Sequence, residues 1–125
     1  MQLQSYRDSF AVLGEVTRLR IACCLLFWKE GLCVGELVEA LAESQPNISR
    51  HLKVMKASGL IEERRDGRWI YYRWNMLQDE FHQDLLTCLE TVSGSAEMEP
   101  DLIRLKTRLK LRKGGRCVEV TKQTT

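Results

Sequence analysis

A mainly α-helical fold carrying one small β-hairpin is predicted by three features of the sequence. Apolar residues recur at three- and four-residue spacing, an Asp66-Gly67 pair separates two strand-like runs, and Gly or Pro punctuates the intervals. Leu3, Tyr6, Phe10 and Leu13 mark a first helix, which Gly14 ends. Residues 16–29 are apolar on nearly all sides, as in a central buried helix, and Gly31 closes it. Val34, Leu37, Val38 and Leu41 face inward on a short helix at 34–42. Ser44-Gln45-Pro46-Asn47 starts the next helix: serine can satisfy a free N–H, and proline loses nothing in a first turn. Ile48, Leu52 and Met55 form its apolar stripe up to Gly59, whereas Gln45, Asn47, Ser49, Arg50 and Lys53 lie off it.

The strand-like runs are 60–65 and 68–74. Asp-Gly favours a type I′ turn, because both central residues need positive φ. That loop sets Arg65 opposite Arg68, and facing arginines repel unless an anion lies between them. Residues 76–92 form another helix with Leu77, Phe81, Leu85 and Val92 on one face. A linker at 93–100 leads to a helix at 101–113, where Leu102, Leu105 and Leu109 oppose a basic side. The last dozen residues are expected to fray.

Composition bounds the class. The chain has 125 residues, room for one domain, with the 44% hydrophobic and 29% charged content of an ordinary soluble protein. Its longest apolar run, residues 21–28, is too short to span a membrane, and the polar N-terminus does not resemble a secretory signal. A cytoplasmic location without membrane partners is expected. Five cysteines, an odd number, point to free thiols rather than a disulfide framework. Net charge is only +2, yet residues 44–75 hold 7 basic against 3 acidic side chains, and residues 101–125 hold 8 against 2. Residues 76–100 hold 6 acidic side chains and no basic one. A basic middle segment suits a polyanion.

Short helix, tight turn, polar-faced helix and basic hairpin follow one another in the order of a winged helix-turn-helix, with double-stranded DNA as partner. Amide and guanidinium groups on a helix can read base edges, which assigns base contacts to Gln45, Asn47, Ser49 and Arg50. Backbone contacts fall to Ser44, Lys53, Arg64, Arg65 and Arg68. A winged helix that binds proteins instead of DNA is the alternative. No nucleophile signature, phosphate loop or paired His and carboxylate motif argues for an enzyme.

The run Glu36-Leu37, Ser44 to Lys53, Gly59-Leu60, Arg64 to Arg68 and Tyr71-Tyr72-Arg73, with Thr17 to Ile21 upstream, resembles the ArsR/SmtB family of metalloregulatory repressors over roughly residues 5–92. The segment from Ser44 to Leu52 is most similar to the arsenic-responsive branch. The resemblance implies a DNA-binding and dimerisation domain at 1–92, the linker at 93–100, and a basic C-terminal helix with a tail at 101–125. It implies a homodimer on an imperfect palindrome, with Tyr6, Phe10, Leu77, Phe81 and Leu85 at the interface, no required cofactor, and release by an inducer. Cys33 occupies the family's metal-site motif, but Gly35 and Val38 stand where arsenic sensors carry further thiols. Zinc sensing is disfavoured, because residues 1–22 lack Cys and His, and Met76, Gln78, Leu89 and Val92 replace the ligands of the second family site. As(III) or Sb(III), soft ions that prefer thiolates, are therefore expected at Cys33 with help from Cys23, Cys24, Cys88 or Cys117. The alternative is a thiol or persulfide switch between Cys23 and Cys88. His51 is expected to pack or touch the DNA backbone, and His82 to be exposed.

Overall fold

The computed structural model describes residues 2–77 and 79–119. Six α-helices and one antiparallel hairpin run in the order α1 (Leu3–Leu13), α2 (Val16–Phe27), α3 (Val34–Leu41), α4 (Gln45–Ala57), β1 (Ile61–Asp66), β2 (Trp69–Trp74), α5 (Glu80–Ser93) and α6 (Glu99–Leu109). The all-round apolar helix is the hub: Ile21, Ala22, Cys23, Cys24 and Leu25 of α2 are wholly buried. Leu37 and Leu41 of α3, Ile48, Leu52 and Met55 of α4, and Leu85, Leu86 and Leu89 of α5 close around it. Among the described residues no helix is long and apolar enough to cross a membrane.

The α3–α4 junction is tight because Ala42 adopts the left-handed conformation, φ 54° and ψ 41°, at the end of α3. A Cβ in that region costs about 1–2 kcal/mol, offset here by the N–H of Glu43 donating to Val38 O at 3.3 Å. Ser44 then caps α4, accepting from the Asn47 N–H, with Pro46 in the first turn, as its residue type requires.

The hairpin differs from expectation by one residue. Asp66 pairs with Trp69 and Arg65 with Ile70, so the connection is Gly67-Arg68 rather than Asp66-Gly67. Gly67 has φ 62° while Arg68 has no positive φ, the pattern of a type II′ turn, which wants glycine first. Arg65 and Arg68 consequently do not face each other. Both faces of β2 are used: Tyr71, with Trp69, packs against Cys33 and Cys117, while Trp74 and Tyr72, on the other face of the two-residue period, pack against the main core.

Helix α5 starts at Glu80, later than the periodicity suggests, because Asp79 is its cap and accepts from the His82 N–H. The Asp79 carboxylate also lies 2.8 Å from His82 Nδ1, so His82 is buried against the cap rather than exposed. Phe81 meets Tyr6 and Phe10 edge-on at 4.7 and 5.5 Å, tying α5 to α1 within one chain.

The C-terminal region departs most from its sequence reading. Residues 96–98 form a 3-10 turn with Met98 buried, not an open linker. Helix α6 begins at Glu99, inserts Leu105 fully into the core beside α2 and α3, and ends at Leu109. Its Asp101 is buried and held by Arg20 at 2.7 and 3.0 Å and by Arg104 at 2.7 Å. Beyond it the chain turns back and buries Cys117, which fastens an otherwise largely exposed segment, 114–119, that the sequence reading left frayed. The remainder of the expected frayed tail, residues 120–125, lies outside the described residues.

Arg112 is what draws that segment inward. Its guanidinium donates to both oxygens of Glu36, at 2.7 and 2.8 Å, and to Gly31 O at 2.8 Å. Glu36 is wholly buried, and the Arg112 side chain is 8% exposed. Removing one member of such a pair strands a charge, so Arg112→Met should cost about 3–5 kcal/mol in urea unfolding, with Glu36→Gln added to it restoring a substantial part.

Candidate recognition surface and thiol site

The outer face of α4 presents the polar residues singled out above. Gln45 Nε2 donates to Ser49 Oγ at 3.0 Å, Arg50 Nη2 to Asn47 Oδ1 at 2.6 Å, and Asn47 Nδ2 to Glu43 Oε2 at 3.3 Å. Gln45, Arg50 and Lys53 are exposed, whereas Asn47 and Ser49 are half-buried. These one-turn bonds keep the side chains extended along a single surface, and bonds of this kind exchange readily with other partners.

Beneath that surface His51 is buried, settling its role as packing. Its Nδ1 lies 3.2 Å from Arg18 Nη1 and 3.6 Å from Glu15 Oε2. A guanidinium only donates, so the ring nitrogen accepts that hydrogen bond. Arg18 also donates to Val12 O at 2.6 Å, fastening α4 to the α1–α2 corner.

On the hairpin Arg64 lies over the Tyr71 ring at 5.1 Å and Arg68 over the Trp69 ring at 4.5 Å, while Arg65 is exposed. Arg73 is taken up by Glu62 at 2.7 Å and Lys56 by Glu63 at 2.5 Å. Cations thus concentrate at the tip.

The thiols sort into three environments. Cys33 stands at the N-cap of α3, its N–H donating to Glu36 Oε1 at 3.1 Å. Cys117 is disulfide-bonded to it across a Cα separation of 6.8 Å, so these two cysteines are paired rather than free as the odd count suggested, and Cys23, Cys24 and Cys88 are the free thiols. Those sulfurs and a Glu36 oxygen lie within 4.8 Å of one another, and all three residues are buried. Tyr71 seats the arrangement, its hydroxyl accepting the Cys117 N–H at 2.8 Å. A cavity of about 530 Å³ opens beside the pair, lined by Val38, Trp69, Ser44 and Gln45 among others. Cys23 and Cys24 stay in the α2 core, where burial raises both thiols, Cys24 to about 12 with Asp101 adding to it. Cys88 is exposed on α5. Of the candidate partners for Cys33, only Cys117 reaches it.

Glu36, Tyr71 and Arg112 escaped the sequence reading. Glu36 was partly visible, since an acidic residue three positions after an N-cap signals a capping box. Arg112 looked like one cation in a basic run.

At pH 8 a thiol with a pKa near 12 is ionised to on the order of one part in ten thousand. Alkylation of the reduced native protein should therefore label Cys88 first and Cys23 and Cys24 only on unfolding, as read by mass spectrometry. Labelling of Cys24 as fast as Cys88 would contradict this packing.

Comparison with known proteins places the chain. Residues 15–63 match the family described as bacterial regulatory protein, arsR family. The chain is 39% identical over 100 residues to the arsenic resistance transcriptional regulator ArsR2 of Pseudomonas putida, covering 79% of this chain and 84% of that protein. It is 41% identical over 99 residues to ArsR1 of the same organism, covering 77% and 73%. Among solved structures, HlyU from Vibrio cholerae superposes with a TM-score of 0.61 at 24% identity, over 74% of this chain and 97% of that one, which supports the fold. The chain belongs to the arsR family of bacterial regulatory proteins and is a winged helix-turn-helix transcriptional repressor, not an enzyme.

Proposed function

We propose that the protein holds a palindromic double-stranded operator as a homodimer and releases it when As(III) or Sb(III) is taken up by the thiolates of Cys33 and Cys117, a cellular thiol reductant having supplied the two electrons that open their disulfide. The observation that carries the inducer reading is the convergence of those two thiols with Glu36 at the start of α3. Soft trivalent ions favour thiolates, and the relatives named for arsenic resistance point to the same chemistry. Such ions form three bonds; two thiols meet two of them, and the adjoining cavity has room for a hydroxide or a small thiol as the third. Both oxygens of Glu36 already accept from Arg112, so its carboxylate serves to position rather than to ligate.

Coupling follows from the neighbours. Cys33 begins α3, Ser44 and Gln45 begin α4, and all three line one cavity. A shift there of about 1–3 kcal/mol in favour of a tilted α4 is enough to lose repression. Base reading is assigned to Gln45, Asn47, Ser49 and Arg50, and backbone contact to Ser44, Lys53, Arg64, Arg65 and Arg68. For the dimer, α1, α5 and the segment just before α5 supply exposed Phe10 and Leu77 and half-buried Tyr6 and Phe81, while Leu85 lies in the chain's own core and backs them. A switch between Cys23 and Cys88 has less to support it: Cys23 is buried with a raised pKa, which suppresses the reactive thiolate.

Arg50→Ala should cost about 1–3 kcal/mol of specific binding and relax base preference at one position of the half-site, measured by titration of operator variants. Cys33→Ser and Cys117→Ser, each tested separately, should keep operator affinity within about twofold yet raise the arsenite needed for half-release at least tenfold, with Cys88→Ser behaving as wild type. Unchanged release in both Cys33→Ser and Cys117→Ser would overturn the inducer assignment.

A further inference from the structure

We propose that the turn at Lys113 to Arg116 is a second phosphate-binding site for operator DNA, set beside the tip of the β1–β2 hairpin. The inference rests on the DNA-binding reading and concerns residues outside the helix-turn-helix and hairpin.

Most cations of the C-terminal region are already engaged. Arg104 binds Asp101 and Ala40 O, Arg108 pairs with Glu39 and donates to Val118 O, and Arg112 is bound by Glu36. Lys113 and Arg116 are different. Their backbones close on each other, the Lys113 N–H donating to Arg116 O and the Arg116 N–H to Lys113 O, both at 3.1 Å. Gly114 and Gly115 sit between them with φ 60° and 75°, so both central residues take the positive φ that a type I′ turn demands. The turn is anchored on both flanks, by Arg112 on Glu36 and by buried Cys117 on the Tyr71 hydroxyl. Two cations are thereby presented on a built turn whose ordering is already complete before DNA arrives.

Its location is what gives those charges a purpose. Arg116 Nη2 lies 3.4 Å from Asp66 Oδ1 at the end of β1, and Arg68 Nη2 lies 3.5 Å from Glu119 Oε2 just after the turn. The cavity shared by Ser44, Gln45, Trp69 and residues 117–119 puts the returning segment at the seam between the start of α4 and the hairpin. A duplex held by α4 and the hairpin tip would pass beside it. The charges there are Arg68, Lys113 and Arg116 against Asp66 and Glu119, a cationic balance. Arg116 and Arg68 are 65% and 68% exposed, and ion pairs so exposed are weak enough to be exchanged for phosphates.

The test is a salt series of equilibrium titrations with the reduced full-length protein on operator and on unrelated duplex. Lys113→Gln/Arg116→Gln should flatten the dependence of log K on log salt by about 0.9 for each phosphate that is no longer neutralised, and weaken both duplexes by the same factor, because phosphate binding carries no sequence information. Lys113→Arg/Arg116→Lys, which keeps the charges, should retain the wild-type slope. A slope unchanged in the glutamine variant overturns the inference while leaving operator binding by α4 intact. Weakening confined to the operator also overturns it, as does failure of the charge-keeping variant to retain the slope. A wild type with no salt-dependent DNA binding would overturn the DNA-binding reading itself and this inference with it.

Discussion

The wholly buried carboxylate of Glu36 holds the functional end of this molecule together. A charge taken out of water must be matched on every lone pair, and Glu36 is matched from two directions. The Cys33 N–H at the head of α3 supplies one donor, and the guanidinium of Arg112, from beyond α6, supplies a bidentate pair. Arg112 then spreads its remaining donor onto Gly31 O and lies over the rings of Trp28 and Tyr71. Elements remote in sequence, the α2–α3 loop, α3, β2 and the C-terminal segment, are thereby fixed around one ion pair. The proximity of Cys117 to Cys33 is a consequence: a residue five positions after Arg112 returns to the α3 cap because Arg112 is held there.

The recognition surface depends on the same economy of buried and exposed polarity. The inner face of α4 is apolar except for His51, and His51 is satisfied by Arg18, which reaches back to the Val12 carbonyl. The orientation of α4 is therefore set by packing and by one satisfied polar contact, not by its outer residues. Those outer residues bond to one another and to Glu43 across single turns, so they can be exchanged for other partners without unsettling the helix. Stability and the proposed base reading fall on opposite faces.

Burial likewise separates thiols of identical chemistry. In the α2 core, desolvation makes Cys23 and Cys24 poor thiolates and good fillers. At the α3 cap a pair of cysteines meets a carboxylate, a guanidinium and a cavity, the setting on which the proposed soft-ion site rests.

Period and punctuation in the sequence determined the helices, the capped start of α4, the hairpin and the apolar faces. These are local: an i, i+4 stripe, a Ser before a Pro, or a Gly in a turn acts on its own neighbours. The family and its polar reading face were legible for the same reason. What the tertiary structure decided was everything that depends on a partner distant in the chain. The hairpin register moved by one residue, with Trp69 and Tyr71 packed on the Cys33–Cys117 side and Tyr72 and Trp74 on the main core, contacts invisible to the Asp66-Gly67 dipeptide. His82 went inside because the Asp79 cap offered it a partner at 2.8 Å. Residues 114–119, composed like a frayed tail, are fastened through Cys117 because Arg112 finds Glu36 across 76 positions of sequence. The same long-range pair selected Cys117 over three other cysteines as the neighbour of Cys33, since the energy of meeting a buried charge outweighs any preference written in a local run of lysines and arginines.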